Sequence, residues 1–463
     1  MSSVANKSIN TKYLNIASVV AIFISILFSF HIAEFEYAIF ILFTALTFVF
    51  SILLMNKIAY LFDFTKLTIP VFFWYTYLAI IYVPSFFIYF ERGRDYRDIY
   101  LFAVNSVLIT VPIGAILSNW LFYFKKKNLD NFYNSEVTLK DTPQVRKVFI
   151  SLLSFSIIIT ALFIYEVKTV PLFEILKRPN LVEFARILRA ESFLHLKSKF
   201  LYFYSWLRSF IYPFLIVFSF GNFITTKNKF WKYIFIITLL TGLFYNSLTT
   251  EKLPVASIFI MIGIFYLMYK KWKVNAVFYI IILVIAIAPI FIILSLIIPK
   301  EQVVFQGIFT SILKRSFRVP AEVLYYYFEI FPDKISFLGI SAIKTFSNIF
   351  GVDYFNVPAY VMKYMMQTPV TIGHANACFI GIAYAGWSFE GVIFMGLLTG
   401  FILESAQIFI VRYRRSILTL SLLSFYLYES FHLNSVELFS VLLTFGGILS
   451  LFIFWLFNMK YNN

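Results

Sequence analysis

The residues of this sequence best suited to chemistry are arginines that recur in pairs beside long apolar segments. Arg186 and Arg189 lie three positions apart, as do Arg315 and Arg318, so each pair shares one face of a helix. Because a guanidinium group donates two parallel hydrogen bonds to phosphate oxygens, either pair can bind a phosphate or a diphosphate. A solvated surface and contacts to lipid headgroups are the alternatives that the sequence leaves open.

Two more candidates stand apart from these pairs. His374 is one of four histidines. An imidazole with a pKa of about 6.5 can act as a base or a hydrogen-bond donor, although a lone histidine also serves structure. Arg208 lies inside an apolar segment, about 13 Å from its outer end, where a charge is costly and marks a functional site or a buried ion pair. Glu429 is its expected partner, since Glu404 lies deeper.

Composition defines the kind of element that must position these residues. Of the 463 residues, 61% are hydrophobic and 13% are charged, against about 45–50% and about 25% in soluble domains. Mean hydropathy is +0.83, which excludes an ordinary soluble enzyme, a disordered chain and a disulfide scaffold. One cysteine and four histidines argue against a zinc site. No metal and no cofactor is expected, because no Asp-x-Asp, nucleotide-binding or metalloprotease motif occurs.

Apolar segments of bilayer-spanning length recur along the whole chain and predict an all-α polytopic membrane protein. About twelve spans are expected, near residues 13–31, 37–55, 68–90, 100–124, 148–166, 200–225, 233–250, 254–269, 275–298, 391–411, 416–431 and 437–458. The stretch 375–390 predicts an additional half-span or re-entrant segment. Residues 1–463 are expected to form a single membrane domain with two large outer loops, 167–199 and 299–374.

The distribution of lysine and arginine orients these predicted helices. With the amino terminus inside, 20 of the 39 basic residues but only 4 of the 23 acidic residues fall in cytoplasmic segments, so the net charge of +16 lies on one face. A cation excess of this kind is typical of the cytoplasmic face. It also suits contact with anionic lipids, and it argues against a nucleic-acid partner. Both termini are therefore predicted to be cytoplasmic.

Two stretches of the sequence resemble a known family, the Wzy-type polysaccharide polymerases, whose superfamily also contains the O-antigen ligases. The first, HANACFIGIAYAGWSFEG, is similar to the family's stretch His/Ser-x-Asn…Tyr-x-x-Gly-x-x-Gly, and the matching positions are Asn376, Tyr384, Ala385, Gly386 and Gly391. The second, TTEKLPVASIFIM, is similar to the family's span that begins with a basic residue, here Lys252. Arginines in two large outer loops are a further similarity.

The resemblance implies a GT-C-like helical fold in the bacterial inner membrane. The implied substrates are oligosaccharide repeat units on undecaprenyl diphosphate, which a glycosyltransferase reaction would join into O-antigen or capsular polysaccharide at the periplasmic face. Membrane lipids and a chain-length regulator protein are implied partners. Diphosphate binding would fall to the basic residues Arg186, Arg189, Arg208, Lys252, Arg315 and Arg318. His374 is the preferred base, and Glu191 is the other candidate.

Two other activities stay open. An O-antigen ligase would transfer a finished chain to lipid A-core, and a histidine beside the motif resembles a ligase. A lipid-linked oligosaccharide flippase also suits a protein with many spans. Its case is weakened by the large outer loops and by the absence of two matching sequence halves, which transporters often contain.

Overall fold

The computed structural model describes residues 35–92, 94–138, 141–167, 169–178, 187–189, 192, 201–272, 314–367 and 373–462. Every regular element in these ranges is a helix. The short helices outside the spans are α4 (Lys126–Asn134), α6 (Pro171–Lys177), α10 (Val319–Ile330), α11 (Lys344–Phe350) and α12 (Val357–Met366). The apolar helices are α1 (Phe35–Ile58), α2 (Ile69–Glu91), α3 (Arg94–Leu121), α5 (Pro143–Glu166), α7 (Leu201–Thr226), α8 (Lys229–Ser247), α9 (Lys252–Tyr269), α13 (Phe379–Val411), α14 (Ile417–His432) and α15 (Gly447–Asn462).

The apolar helices lie where the sequence pattern predicts spans. Seven helical segments of the described residues are long and apolar enough to cross a membrane, and each coincides with a predicted span. Helices α1, α8 and α14 match three more. The predicted spans 13–31 and 275–298 lie outside the described residues. The protein is therefore an all-helical, polytopic membrane protein in its described part, whereas the count of about twelve spans stays a prediction.

The stretch 375–390 contains a separate helical segment, as the sequence predicts. Residues 379–386 open α13, and a kink separates them from the rest of the helix. Whether this segment is a half-span or re-entrant stays a prediction. The helix is kinked where Trp387 and Ser388 leave helical geometry, and Ser388 has a φ of 56°. A Cβ atom on Gly391 would overlap the carbonyl oxygen of Ala383 across this kink. The glycine therefore permits the close approach of the two helical segments at this kink.

The connections between helices gather at two ends of the bundle. At the first end, Lys66 Nζ lies 2.6 Å from Asp130, and the backbone N–H of Thr138 donates to the carbonyl of Arg415 at 2.8 Å. We call it the basic end; it comprises residues 59–68, 122–138, 227–228, 270–272 and 412–416. The opposite end, called the loop end, comprises the described residues of 91–94, 167–192, 248–251, 314–378 and 433–439.

Contacts at the loop end join segments that are far apart in sequence. The backbone N–H of Leu172 donates to the carbonyl of Leu248 at 3.1 Å, and that of Phe379 donates to the carbonyl of Leu433 at 3.3 Å. The described loops thus alternate between two ends, as the predicted spans require. Assignment of the basic end to the cytoplasm rests on its cation excess and stays a prediction.

The closest helix packing lies between α3 and α13. A Cβ atom on Gly400 would overlap the carbonyl oxygen of Val111, and one on Gly396 would overlap the hydroxyl of Thr110. Two glycines four residues apart lie on the same helix face, so they bring two backbones into direct contact. Within a membrane, where lipid is as apolar as the side chains, such close van der Waals packing is a main source of helix association.

Candidate functional site

Two arginines and one glutamate meet at the loop end. Arg189 Nη1 lies 3.3 Å from Glu251 Oε1, and Arg208 forms an ion pair with the other oxygen of the same carboxylate. Arg189 Nε also donates to the carbonyl of Thr249 at 3.0 Å. Lys252 follows directly in sequence. We call Arg189, Arg208, Glu251 and Lys252 the arginine cluster.

The local sequence explains how the arginine cluster is positioned. Arg208 lies in a π-helical turn of α7, Leu207–Ile211, where the N–H of Tyr212 donates to the carbonyl of Leu207. Pro213 follows and has no N–H to donate, which favours a wide turn at this point. Single π turns inside α-helices occur frequently at functional sites.

Glu251 lies at the start of α9, the second helix after α7. It is the N-cap residue of α9, and Lys252 is the first residue of that helix. The free N–H groups and the dipole at a helix start favour negative charge. The carboxylate of Glu251 therefore lies where an anion is stable. Together with the neighbouring cations, the helix start makes this part of the loop end suitable for an anionic group of a substrate.

The partner of Arg208 differs from the one expected. Arg208 pairs with Glu251, whereas the expected partner Glu429 lies 3.2 Å from Nδ1 of His432, one turn further along α14. The expectation that Arg208 needs a carboxylate was sound, but the choice of Glu429 was wrong. Glu251 and Arg208 are brought together by folding of segments 43 positions apart, which sequence spacing does not reveal. The predicted residues Arg186 and Glu191 lie outside the described residues.

The second predicted arginine pair belongs to a different ion network. Arg318 Nη1 donates to Glu91 at 3.1 Å, and its Nε lies 3.9 Å from Glu322. Arg92 lies 3.1 Å from Glu322 and also donates to the hydroxyl of Tyr326 at 2.9 Å. Two cations balance two carboxylates here, so Arg318 is a weaker candidate for an added anion than Arg208. Arg315 is exposed.

His374 lies at the loop end, in the segment that leads into α13. Its neighbour Ala375 is fixed on both sides, since its N–H donates to the carbonyl of Pro358 and its carbonyl accepts from the hydroxyl of Tyr327, both at 2.9 Å. His374 itself is exposed. The surrounding protein partly desolvates the imidazole, and this lowers its pKa below the ordinary value of 6.5. The ring is therefore neutral at neutral pH and can accept a proton.

Glu429 and His432 form a carboxylate–histidine pair near the loop end. This pair was not predicted from the sequence. Glu429 is 1% exposed and pairs with His432, whose side chain is 13% exposed. The ring of His432 packs 5.4 Å from that of Phe445. The Glu-x-x-His spacing on one helix is the signal that could have revealed the pair. His432 is thus a second histidine near the loop end, and it has an acidic partner.

The fold and the site together define a class of protein: a polytopic helical membrane protein with a cationic cluster at one end. No protein-family model, no curated protein and no solved structure matches the chain. Among the described residues, no group of three or more His, Cys, Asp or Glu side chains could hold a metal ion. The particular activity therefore has to be argued from the residues themselves.

Proposed function

We propose that this protein is a membrane glycosyltransferase that joins oligosaccharide repeat units carried on undecaprenyl diphosphate into a polysaccharide. The observation that carries the proposal is the arginine cluster, in which Arg189 and Arg208 share the carboxylate of Glu251 beside a helix start. Two neighbouring guanidinium groups suit a lipid-linked diphosphate, because guanidinium groups bind phosphate oxygens strongly. His374, which begins the stretch that resembles the polymerase family, also lies at the loop end.

The reaction would need three contributions from the protein. The oxygen of an acceptor hydroxyl attacks the anomeric carbon of the donor sugar, and the bond from that carbon to the diphosphate oxygen breaks. The diphosphate leaves with the bonding electron pair, and the arginine cluster would stabilise its charge. The hydroxyl proton passes to a base, for which neutral His374 is the candidate. In-line positioning of donor and acceptor supplies the remaining part of the rate.

The proposal includes a location and partners. The loop end would face the periplasm and the basic end the cytoplasm of a bacterial inner membrane, with both termini cytoplasmic, as the cation excess predicts. Membrane lipids and a chain-length regulator protein are the proposed partners. The product would be O-antigen or capsular polysaccharide.

The decisive experiment adds lipid-linked repeat units to the purified protein in lipid nanodiscs and analyses the products. A polymerase is expected to yield a series of products that grow by one repeat unit. A flippase yields no new covalent product, and a ligase yields product only when lipid A-core is added as acceptor. Absence of the growing series of products, with or without added lipid A-core, contradicts the proposal, provided that the protein elutes as a monodisperse species.

The pH dependence of the reaction tests the role of His374. Because the pKa of His374 lies below 6.5, the base is neutral above that pH and becomes protonated as the pH falls through its pKa. We therefore expect product formation to be constant at neutral pH and to fall on the acid side, with its midpoint below pH 6.5. The His374→Ala variant is expected to be slow and to lack this acid limb. An unchanged pH profile in that variant would exclude His374 as the base.

A further inference from the structure

Helix α13 carries a carboxyl group inside its span that the proposed reaction does not use. Glu404 lies about two turns before the basic end of the helix and is 1% exposed. Neither of its oxygens has a hydrogen-bond partner among the described residues. An ionised carboxylate in these surroundings costs several kcal/mol, so an unpaired buried acid is stable when it binds a proton and becomes neutral.

Polar side chains from neighbouring elements surround Glu404 without neutralising it. Asn119 of α3 faces the carboxyl group, and its own Oδ1 has no partner among the described residues. Gln407, one turn along α13, accepts a hydrogen bond from the N–H of Ile69 at 3.0 Å, while its Nε2 has no partner in that part of the chain. The site is thus lined by amides that can exchange hydrogen bonds with a carboxylic acid.

The titratable and charged groups that approach Glu404 come from the basic end. Tyr133 of α4 interacts electrostatically with both Glu404 and Arg415. Arg415 donates to the carbonyls of Ser135 at 2.9 Å and Met268 at 2.7 Å, and so is held away from the carboxylate. Within the described ranges, no lysine, arginine or histidine forms an ion pair with Glu404. The nearest charges therefore lie at one end of the bundle only.

We propose that Glu404 is an exchangeable proton-binding site beside Gln407 and Tyr133. Because of the position of Glu404 in the bundle, proton binding would affect the packing of α3 against α13. Gly400 lies one turn before Glu404 and brings the backbones of α3 and α13 into direct contact. Ionised Glu404 needs water or a cation beside it, and the tight helix pair has room for these only when it separates. Binding of a proton therefore favours the closed form of this helix pair.

Chemical labelling tests this assignment without reference to enzyme activity. Dicyclohexylcarbodiimide reacts with protonated carboxyl groups in apolar surroundings, and peptide mass spectrometry locates the adduct. In the full-length protein in nanodiscs, we expect labelling of Glu404 that falls as the pH is raised from about 6 to about 9, because only the protonated carboxyl group reacts. The E404Q variant should lose this adduct, and the matched E429Q variant, which changes a buried acid paired with His432, should retain it.

Two results would overturn the proposal. Absence of the adduct at Glu404 across the whole pH range would show that no exchangeable proton is held there. Protection of Glu404 by sodium chloride, but not by choline chloride at equal ionic strength, would assign the carboxyl group to a metal cation instead of a proton. Both measurements use the unsubstituted protein, so their outcome does not depend on the folding of a variant.

Discussion

The Arg208→Ala variant is expected to form polymer about 10²–10³-fold more slowly than the unsubstituted protein, the loss that follows removal of one donor that stabilises transition-state charge. Arg208 lies within the span of α7, where bulk water is poorly placed to replace the missing guanidinium. In the proposed reaction, its loss would also leave Glu251 facing the departing diphosphate with one cation fewer. Initial rates of product formation from lipid-linked repeat units, measured in nanodiscs, give the comparison.

Two further variants separate a specific role of Arg208 from a general loss of charge. Arg208→Lys keeps the charge but not the two-pronged geometry, so it should recover part of the rate. Arg318→Ala removes a cation from the charge-balanced network of Glu91 and Glu322, and a smaller loss is expected. Equal losses in Arg208→Ala and Arg318→Ala, or no loss in either, would contradict the assignment of the diphosphate to the arginine cluster.

The Gly400→Leu variant is expected to lose about 3 kcal/mol or more of folding free energy, at or beyond the upper end of the usual cost of overpacking. Relief of the overlap with Val111 requires a backbone to move, because the obstructing atom is a carbonyl oxygen and not the end of a flexible side chain. The apparent melting temperature in detergent and the fraction of monodisperse protein after solubilisation measure the effect.

A matched substitution controls for the added bulk of leucine. Ala161 lies on an exposed face of α5, and Ala161→Leu is expected to leave the melting temperature nearly unchanged. If Gly400→Leu melts at the same temperature as Ala161→Leu, then α3 and α13 are not held in backbone contact at this position. Gly396→Leu, which meets the side chain of Thr110, provides a second point on the same interface.

Much of the architecture follows from apolar periodicity and charge, for physical reasons that act locally. A bilayer demands helices of a given length, so the apolar runs that became α2, α5, α7 and α9 could be recognised one segment at a time. The kink of α13 could not, because it depends on Ser388 adopting a positive φ within a packed environment. Local pattern therefore predicted the spans and the separate segment 375–390, but not the backbone geometry that joins this segment to the next span.

The candidate site divides in the same way. That Arg208 required a carboxylate followed from its depth in an apolar segment. The identity of this carboxylate, Glu251, could not be predicted. It depends on the position of the start of α9 relative to the π turn of α7, and only the folded bundle defines that position. Glu404 was visible in the sequence as a charge at depth, but its lack of a cationic partner is a property of the side chains that pack around it.

The break at Trp387 and Ser388 divides α13 into two helical segments. The segment before the break is attached to the loop end, since the N–H of Leu338 donates to the carbonyl of Ala385 and the ring of Tyr384 lies 4.2 Å from that of Phe328. The segment after the break packs within the helix bundle, where Gly400 is in close contact with α3. A change of angle at this break would move the segment that follows His374 without disturbing the contact between Gly400 and Val111. In the polymerase that we propose, the loop end would thus be able to follow a growing chain while α3 and α13 stay packed.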